Sequence, residues 1–321
     1  MTDLTLKLQP GDALTVHLLG EAGDTPPPEP EPDHDWPNKP AGFTEVNEWN
    51  CAGAPAVPEH GEPYVDEPIP GSDGWRCVYN HVPGATWPND GSSYAGSPYG
   101  FVECVDDAHA PSSPSAVYRF SYPEGMKEGI APATAYLSWG GALGVRKLYA
   151  GMWWKPSANF DLTNGVGTKI AFMFNGGGGA GGQAFCILDP GRHVCVMPEY
   201  LPTDDPAHPY YQRSPNRDQT PVELGAWHQL EWYMDLDGHV IRWWIDGRLT
   251  GDYADLVPNA WAFDMFQLSP TYGGCCSHSR PATCDYQFDH AIVAAPPTVR
   301  RPRFGKLPPG YRLPELRPWP W

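Results

Sequence analysis

Residues 231–246 read Glu-Trp-Tyr-Met-Asp-Leu-Asp-Gly-His-Val-Ile-Arg-Trp-Trp-Ile-Asp. Asp237-Gly238 between two alternating runs is the strongest short hairpin signal, and centring the turn there sets the register. Trp232 then stands opposite Trp243, Met234 opposite Ile241 and Leu230 opposite Ile245. One face of both strands is wholly apolar and belongs in a core. The other face carries Glu231 opposite Trp244 and Tyr233 opposite Arg242. Rings stack on pyranose faces and charged groups bond hydroxyls, so this second face suits sugar recognition.

Outward from the hairpin, strand patterns recur at 117–122, 148–155, 169–174, 184–188, 193–197, 228–236, 239–246, 263–268 and 286–294, with turn residues between them. No helix-length 3.6-residue period competes. Many short strands without helices imply an all-β fold, an antiparallel sandwich or jelly roll. A second hairpin, Cys186-Ile-Leu-Asp-Pro-Gly-Arg-His-Val-Cys195, has Pro190-Gly191 as its tip, which places Cys186 opposite Cys195 for a cross-strand disulfide. Pro-Gly favours a type II turn that splays tight hairpins, so a longer loop with the register one step off is the alternative. Cys275-Cys276-Ser277-His278 with Cys284 matches none of the usual zinc spacings. A disulfide from Cys276 or Cys275 to Cys284 is expected instead.

The flanks read differently. In residues 1–24, Leu4, Leu6 and Leu8 alternate on one face, and Leu14, Val16 and Leu18 follow after a Pro10-Gly11 turn. A two-stranded hairpin with one greasy side cannot hold itself together in water, so residues 1–20 are expected to anchor on another structural protein. Residues 25–40 hold seven prolines among acids and, as polyproline II, would reach on the order of 50 Å. They read as a spacer, or else as a strap over the chain's own surface. Residues 41–115 form a loop-rich lead-in, 116–295 the main domain, and 296–321 a proline-rich arm. That arm carries Arg300, Arg301, Arg303, Lys306, Arg312 and Arg317 against Glu315, and is expected to lie on an acidic protein surface.

Charge limits the partners. The 321 residues include 38 acids against 21 bases, a net charge of −17, and such a field repels phosphate backbones and anionic membranes. Nucleic acid is not an expected partner, and no window approaches the ~18 apolar residues of a membrane-inserting helix. The N-terminal residues lack a basic start and apolar block, so no secretory signal is expected. The eight cysteines nonetheless fit an oxidising environment. Release by lysis reconciles the two, giving a virion surface or extracellular location and an oligomeric or assembled state.

Several stretches carry a family resemblance: Leu148-Tyr-Ala-Gly-Met-Trp-Trp-Lys155, Gly167-Thr-Lys169-Ile, Gly225-Ala-Trp227-His228, Trp244-Ile-Asp246-Gly247, Pro270-Thr-Tyr-Gly-Gly274 and Phe288-Asp289-His290. Over 116–295 the chain resembles the concanavalin A-like lectin/glucanase jelly rolls, above all their polysaccharide-lyase-like and virus-associated members. The resemblance implies two stacked antiparallel sheets with a carbohydrate-binding concave face, and a structural calcium as in many similar folds, with no ligands assignable. The expected binding set is Glu231, Tyr233, Arg242 and Trp244, with Trp153, Lys169 and Gln267 added by residue parity.

Catalysis is less well supported. Glu231 and Asp235 lie roughly 13 Å apart along a strand, well beyond the about 5–5.5 Å of a retaining glycosidase pair. A lyase needs a base and a group that neutralises a uronate, and Tyr233 facing Arg242 has that chemistry. Yet where similar lyases place arginine in the first long strand, this chain has Gly151. The leading expectation is therefore a non-enzymatic, lectin-like protein displayed on a larger assembly. A lyase acting on a uronate polymer and a purely structural decoration protein are the alternatives.

Overall fold

The computed structural model describes residues 35–51, 65–79, 102–113, 116–126, 131–139, 145–162, 167–174, 183–199, 215–254, 262–268, 270–273 and 281–297. The chain divides into two compact units, Met1–Glu31 and Pro32–Trp321, and every described residue belongs to the second. The expected anchor hairpin and the basic arm lie outside the described residues, as does the spacer before Asp35.

Among the described residues there are strands and no helix. The first sheet has eight strands. β13 (Arg248–Tyr253), β12 (Val240–Ile245), β11 (His228–Asp235), β7 (Lys147–Pro156), β15 (Cys284–Ala295), β5 (Val117–Tyr122) and β4 (Val102–Val105) follow in that order, and β1 (Thr44–Trp49) also pairs with β15. The long β15 pairs with β7 on one edge, while β5 and β1 share the other. The second sheet has seven strands: β10 (Val194–Glu199), β9 (Gln183–Leu188), β8 (Thr168–Phe174), β14 (Met265–Leu268), β6 (Ala133–Ser138), β3 (Arg76–Tyr79) and β2 (Val65–Pro68). Every pairing is antiparallel, so the expected sandwich is the observed one.

The core lies between the sheets. Trp154, Trp232 and Trp243 enter it from the first sheet, and Ala135, Ala171, Met173 and Phe266 from the second. Trp49 and Trp75 meet with ring centroids 5.0 Å apart and tie β1 to the start of β3. The Trp243 indole N–H donates to the Val194 carbonyl at 2.9 Å and the Asn216 amide oxygen at 3.0 Å, binding the two layers across the core.

The deciding hairpin has the expected register: Trp232 pairs with Trp243, Met234 with Ile241, Glu231 with Trp244 and Tyr233 with Arg242. Its turn is a four-residue loop in which His239, not Gly238, takes the left-handed conformation (φ 61°). The Asp235 carboxylate accepts the N–H groups of Asp237 at 3.0 Å and Gly238 at 2.7 Å, the local bonding that makes aspartate a turn residue.

The second hairpin corrects the disulfide expectation. Leu188 pairs with Val194 across a five-residue loop, with Arg192 left-handed (φ 64°), so Cys186 faces Val196 and Cys195 faces Ile187. Successive strand residues point to opposite faces, which sends Cys186 into the core and Cys195 to the outer surface of the sheet. A Cys186–Cys195 bridge is therefore excluded. Burial, and then the neighbouring Cys195, push the Cys186 thiol well above its usual value. Among the described residues there is no disulfide. Cys284 is buried at the head of β15, and its expected partner Cys276 lies outside the described residues.

Candidate functional site on the outer faces of the sandwich

The outer face of the first sheet carries five of the seven expected residues. Asp252, Arg242, Tyr233, Tyr149 and Ala294 form one cross-strand row, and Leu249, Trp244, Glu231, Gly151 and Ile292 the next. Trp153 lies further along β7 on the same side. Residues 35–43 cover the middle of this face. Trp36 is almost fully buried against Tyr149, Ile292 and Ala294, and its ring stands over Gly151, where a Cβ would come 2.6 Å from its Cζ3 atom. The side chain missing at Gly151 is thus the space that Trp36 fills.

Asn38 then reaches Glu231 twice, from its backbone N–H to Oε2 at 2.9 Å and from its amide to Oε1 at 2.7 Å. The Tyr149 hydroxyl adds a third bond to Oε2 at 2.6 Å. Glu231 is 0% exposed. Its expected role in bonding sugar hydroxyls is corrected by this geometry, because three donors of its own chain satisfy the carboxylate.

The other members of this group are also engaged. Phe43 meets Tyr233 edge-on at 5.9 Å, and the Tyr233 hydroxyl donates to Asp235 at 3.2 Å. Burial, and then the Asp235 charge, push the phenol up to about 12. Arg242 pairs with Asp252 at 2.8 Å in an exposed ion pair of small energetic weight. Trp244 and Trp153 are half-buried, Trp153 beside residues 36–43.

Lys169 and Gln267 lie on the opposite side of the molecule, on the outer face of the second sheet. There Arg76, Tyr136, Gln267, Phe172, Phe185 and Met197 are successive cross-strand partners over six strands. A bulge between Lys169 and Ala171 shifts the alternation, so Lys169 and Phe172 share this face. The Lys169 ammonium bonds the Gly273 carbonyl and stands 5.8 Å from the centre of the Phe185 ring. Phe172 and Phe174 stack at 5.1 Å. Gln267 is 3% exposed, and among the described residues its amide bonds only the Met265 thioether, at 2.7 Å.

The expected set is therefore split between two faces with the whole core between them. Tyr136, Phe172, Phe185 and Arg76 were not anticipated on sequence. The alternations Phe172/Phe174 and Phe185/Ile187 are local signals for this face.

A separate polar row, Glu103, Arg119, Gln287 and Lys155, crosses β4, β5, β15 and β7. Asp107 accepts the Lys155 ammonium and the Trp227 indole N–H. Burial alone would raise Asp107, but these donors and the His109 amide hold its carboxyl below the usual range. Asp285, adjacent to Gln287, is instead pushed up by burial, which outweighs the Gln287 amide and the charges of Arg119 and Lys155. Among the described residues no three His, Cys, Asp or Glu side chains are grouped to hold a metal ion.

No protein-family model matches the chain, and no curated protein does. Solved structures do. An endo-β-1,4-glucuronan lyase from the fungus Trichoderma reesei aligns at 12% identity over 72% of this chain and 94% of its own, with a TM-score of 0.46. A carbohydrate esterase of the Shiga toxin-encoding bacteriophage phi24B aligns at 14% identity over 79% and 99%, TM-score 0.43. The alginate lyase Aly36B aligns at 14% over 56% and 80%, TM-score 0.41. What the chain itself shows is a β-sandwich of two antiparallel sheets.

Proposed function

We propose that the protein binds carbohydrate across the outer face of the second sheet, with Gln267 at the centre of the site. One observation carries this reading. A buried amide stands between the Tyr136 and Phe172 positions with only a thioether, a weak acceptor, as its partner among the described residues. A poorly paired buried amide costs about 1–3 kcal/mol, which a ligand hydroxyl would recover. Tyr136, Phe172 and Phe185 are each 1% exposed and Lys169 4%, so they pack around the amide within one buried cluster, and half-buried Arg76 is the more accessible charged donor of this face. Lys169 and Gln267 belong to this proposal, whereas Trp244, Trp153 and Tyr233 lie on the other sheet. Display on a virion or extracellular assembly through residues 1–24 belongs to the same proposal, since many copies raise avidity without new contacts.

A second reading, β-elimination on a uronate polymer, is favoured by the cross-strand pairing of Tyr136 with the cation Arg76. A glycan array with the wild type, Gln267→Ala and Trp244→Ala tests the assignment. Binding should fall tenfold or more in Gln267→Ala and persist in Trp244→Ala. The opposite pattern, or no glycan signal at all, contradicts the proposal, and absence of signal favours a decoration role. Incubation with alginate and glucuronan, followed by ultraviolet absorbance of new unsaturated ends, separates cleavage from binding.

A further inference from the structure

A third constellation lies where β15 changes face. Phe288 and Ala291 both point into the core, and the residues between them, Asp289 and His290, form a bulge. Bulges of this kind re-aim side chains. Here they meet residues 112–113, in the loop that follows β4. The Asp289 carboxylate accepts the backbone N–H groups of Ser112 and Ser113, the latter at 2.7 Å, and so fixes that stretch of backbone. The Ser112 hydroxyl lies 3.2 Å from Nδ1 of His290. Nε2 of the same ring lies 2.8 Å from the Glu48 carboxylate on β1. An ionised carboxylate only accepts, so the neutral ring carries its proton on Nε2 and leaves Nδ1 as acceptor for the hydroxyl. Trp36 packs edge-on against the ring at 5.3 Å. Ser112 is exposed while His290 is buried, so the hydroxyl faces solvent and the imidazole behind it is held.

We propose that Ser112 is a nucleophile toward carboxylic esters, with His290 as its general base and Glu48 as the residue that positions the imidazole. A nucleophile within hydrogen-bond reach of a base, itself oriented by a third group, is the arrangement that activates serine. His290 Nδ1 takes the hydroxyl proton as Oγ bonds to the ester carbonyl carbon. The tetrahedral adduct then breaks its bond to the alcohol oxygen, and the alcohol leaves with the proton from His290. Water, deprotonated by the same nitrogen, attacks the acyl-serine and releases the carboxylic acid. The sum is ester plus water to alcohol plus acid, with Ser112 restored. The Ser112 and Ser113 amides, natural donors for the oxyanion, are occupied by Asp289. Each missing donor costs on the order of 10²–10³ in rate, so the site is expected to acylate slowly. This inference is independent of the glycan reading.

The test treats the full chain with a fluorophosphonate probe and with p-nitrophenyl acetate, and locates the adduct by peptide mass spectrometry. A single adduct at Ser112 is expected, with about one equivalent of nitrophenol released per chain in the first turnover, and none in Ser112→Ala. Labelling of Glu48→Gln should slow at least tenfold. Glu48→Asp, which keeps a carboxylate facing Nε2, should recover labelling that Glu48→Gln loses, as a merely structural role would not require. Glu48 is half exposed, so this variant is expected to fold even if His290→Gln does not. The absence of a Ser112 adduct, or an adduct whose rate is unchanged in Glu48→Gln, would overturn the proposal.

Discussion

Gly151→Ala tests whether residues 35–43 are part of the folded sandwich. The added methyl would lie 2.6 Å from Cζ3 of Trp36 and 3.0 Å from Cγ2 of Ile292, whereas carbon atoms pack comfortably at about 3.5–4 Å. The indole must therefore retreat by about 1 Å. It cannot do so alone, because Asn38 is bound to Glu231 two residues on and the Gln229 amide bonds the Asp35 carbonyl. Overpacking of this kind costs roughly 1–3 kcal/mol. The ceiling is full release of Trp36, whose truncation to alanine costs about 3–5 kcal/mol. We expect about 2 kcal/mol by urea unfolding, with the slope unchanged. The decisive comparison is the double variant, since in a Trp36→Ala background the methyl has room and should cost under about 0.5 kcal/mol. Equal costs in both backgrounds, or no cost in the wild type, would refute the packing of Trp36 on Gly151.

Two further outcomes concern pH. Burial alone would lower the His228 imidazole, but the Asp246 carboxylate at 2.8 Å and the Glu223 carbonyl at 2.9 Å hold it above its ordinary value. That stabilisation is complete below about pH 6.5 and is lost as pH rises through the raised folded value, so Asp246→Asn should flatten this part of a denaturation-against-pH profile. The Asp285 carboxyl is raised by burial, so its ionised form opposes folding and stability is regained as pH falls through its folded value. Asp285→Asn should raise the thermal midpoint at neutral pH and lose that advantage in acid.

What the sequence revealed follows the range of the forces involved. The register of β11 and β12 was legible because Asp237-Gly238 fixes it locally. The same local reasoning misplaced Cys186 and Cys195, because Pro190-Gly191 sits inside a five-residue loop with Arg192 left-handed, which moves every pair by one step. Lys169 and Gln267 were read as partners of Glu231 because alternation reports a side of a strand, not which sheet the strand joins. The bulge after Lys169 was invisible for a related reason, since an extra residue shows only against its neighbouring strand. Trp36 and Asn38 read as part of a proline-rich spacer. Their function became visible only in space, where Asn38 meets Glu231 across 193 residues of sequence and Trp36 finds the one position in β7 that lacks a side chain. Ser112, His290 and Glu48 follow no sequence spacing that signals a relay, because a strand bulge and a neighbouring strand bring them together.

The face on which a glycan rests is measured most directly by amide hydrogen exchange of the wild-type chain with and without a glycan found on the array. The account predicts added protection in 168–174 and 265–273, with 240–253 unchanged. Protection confined to 240–253, around Trp244 and Arg242, would contradict it.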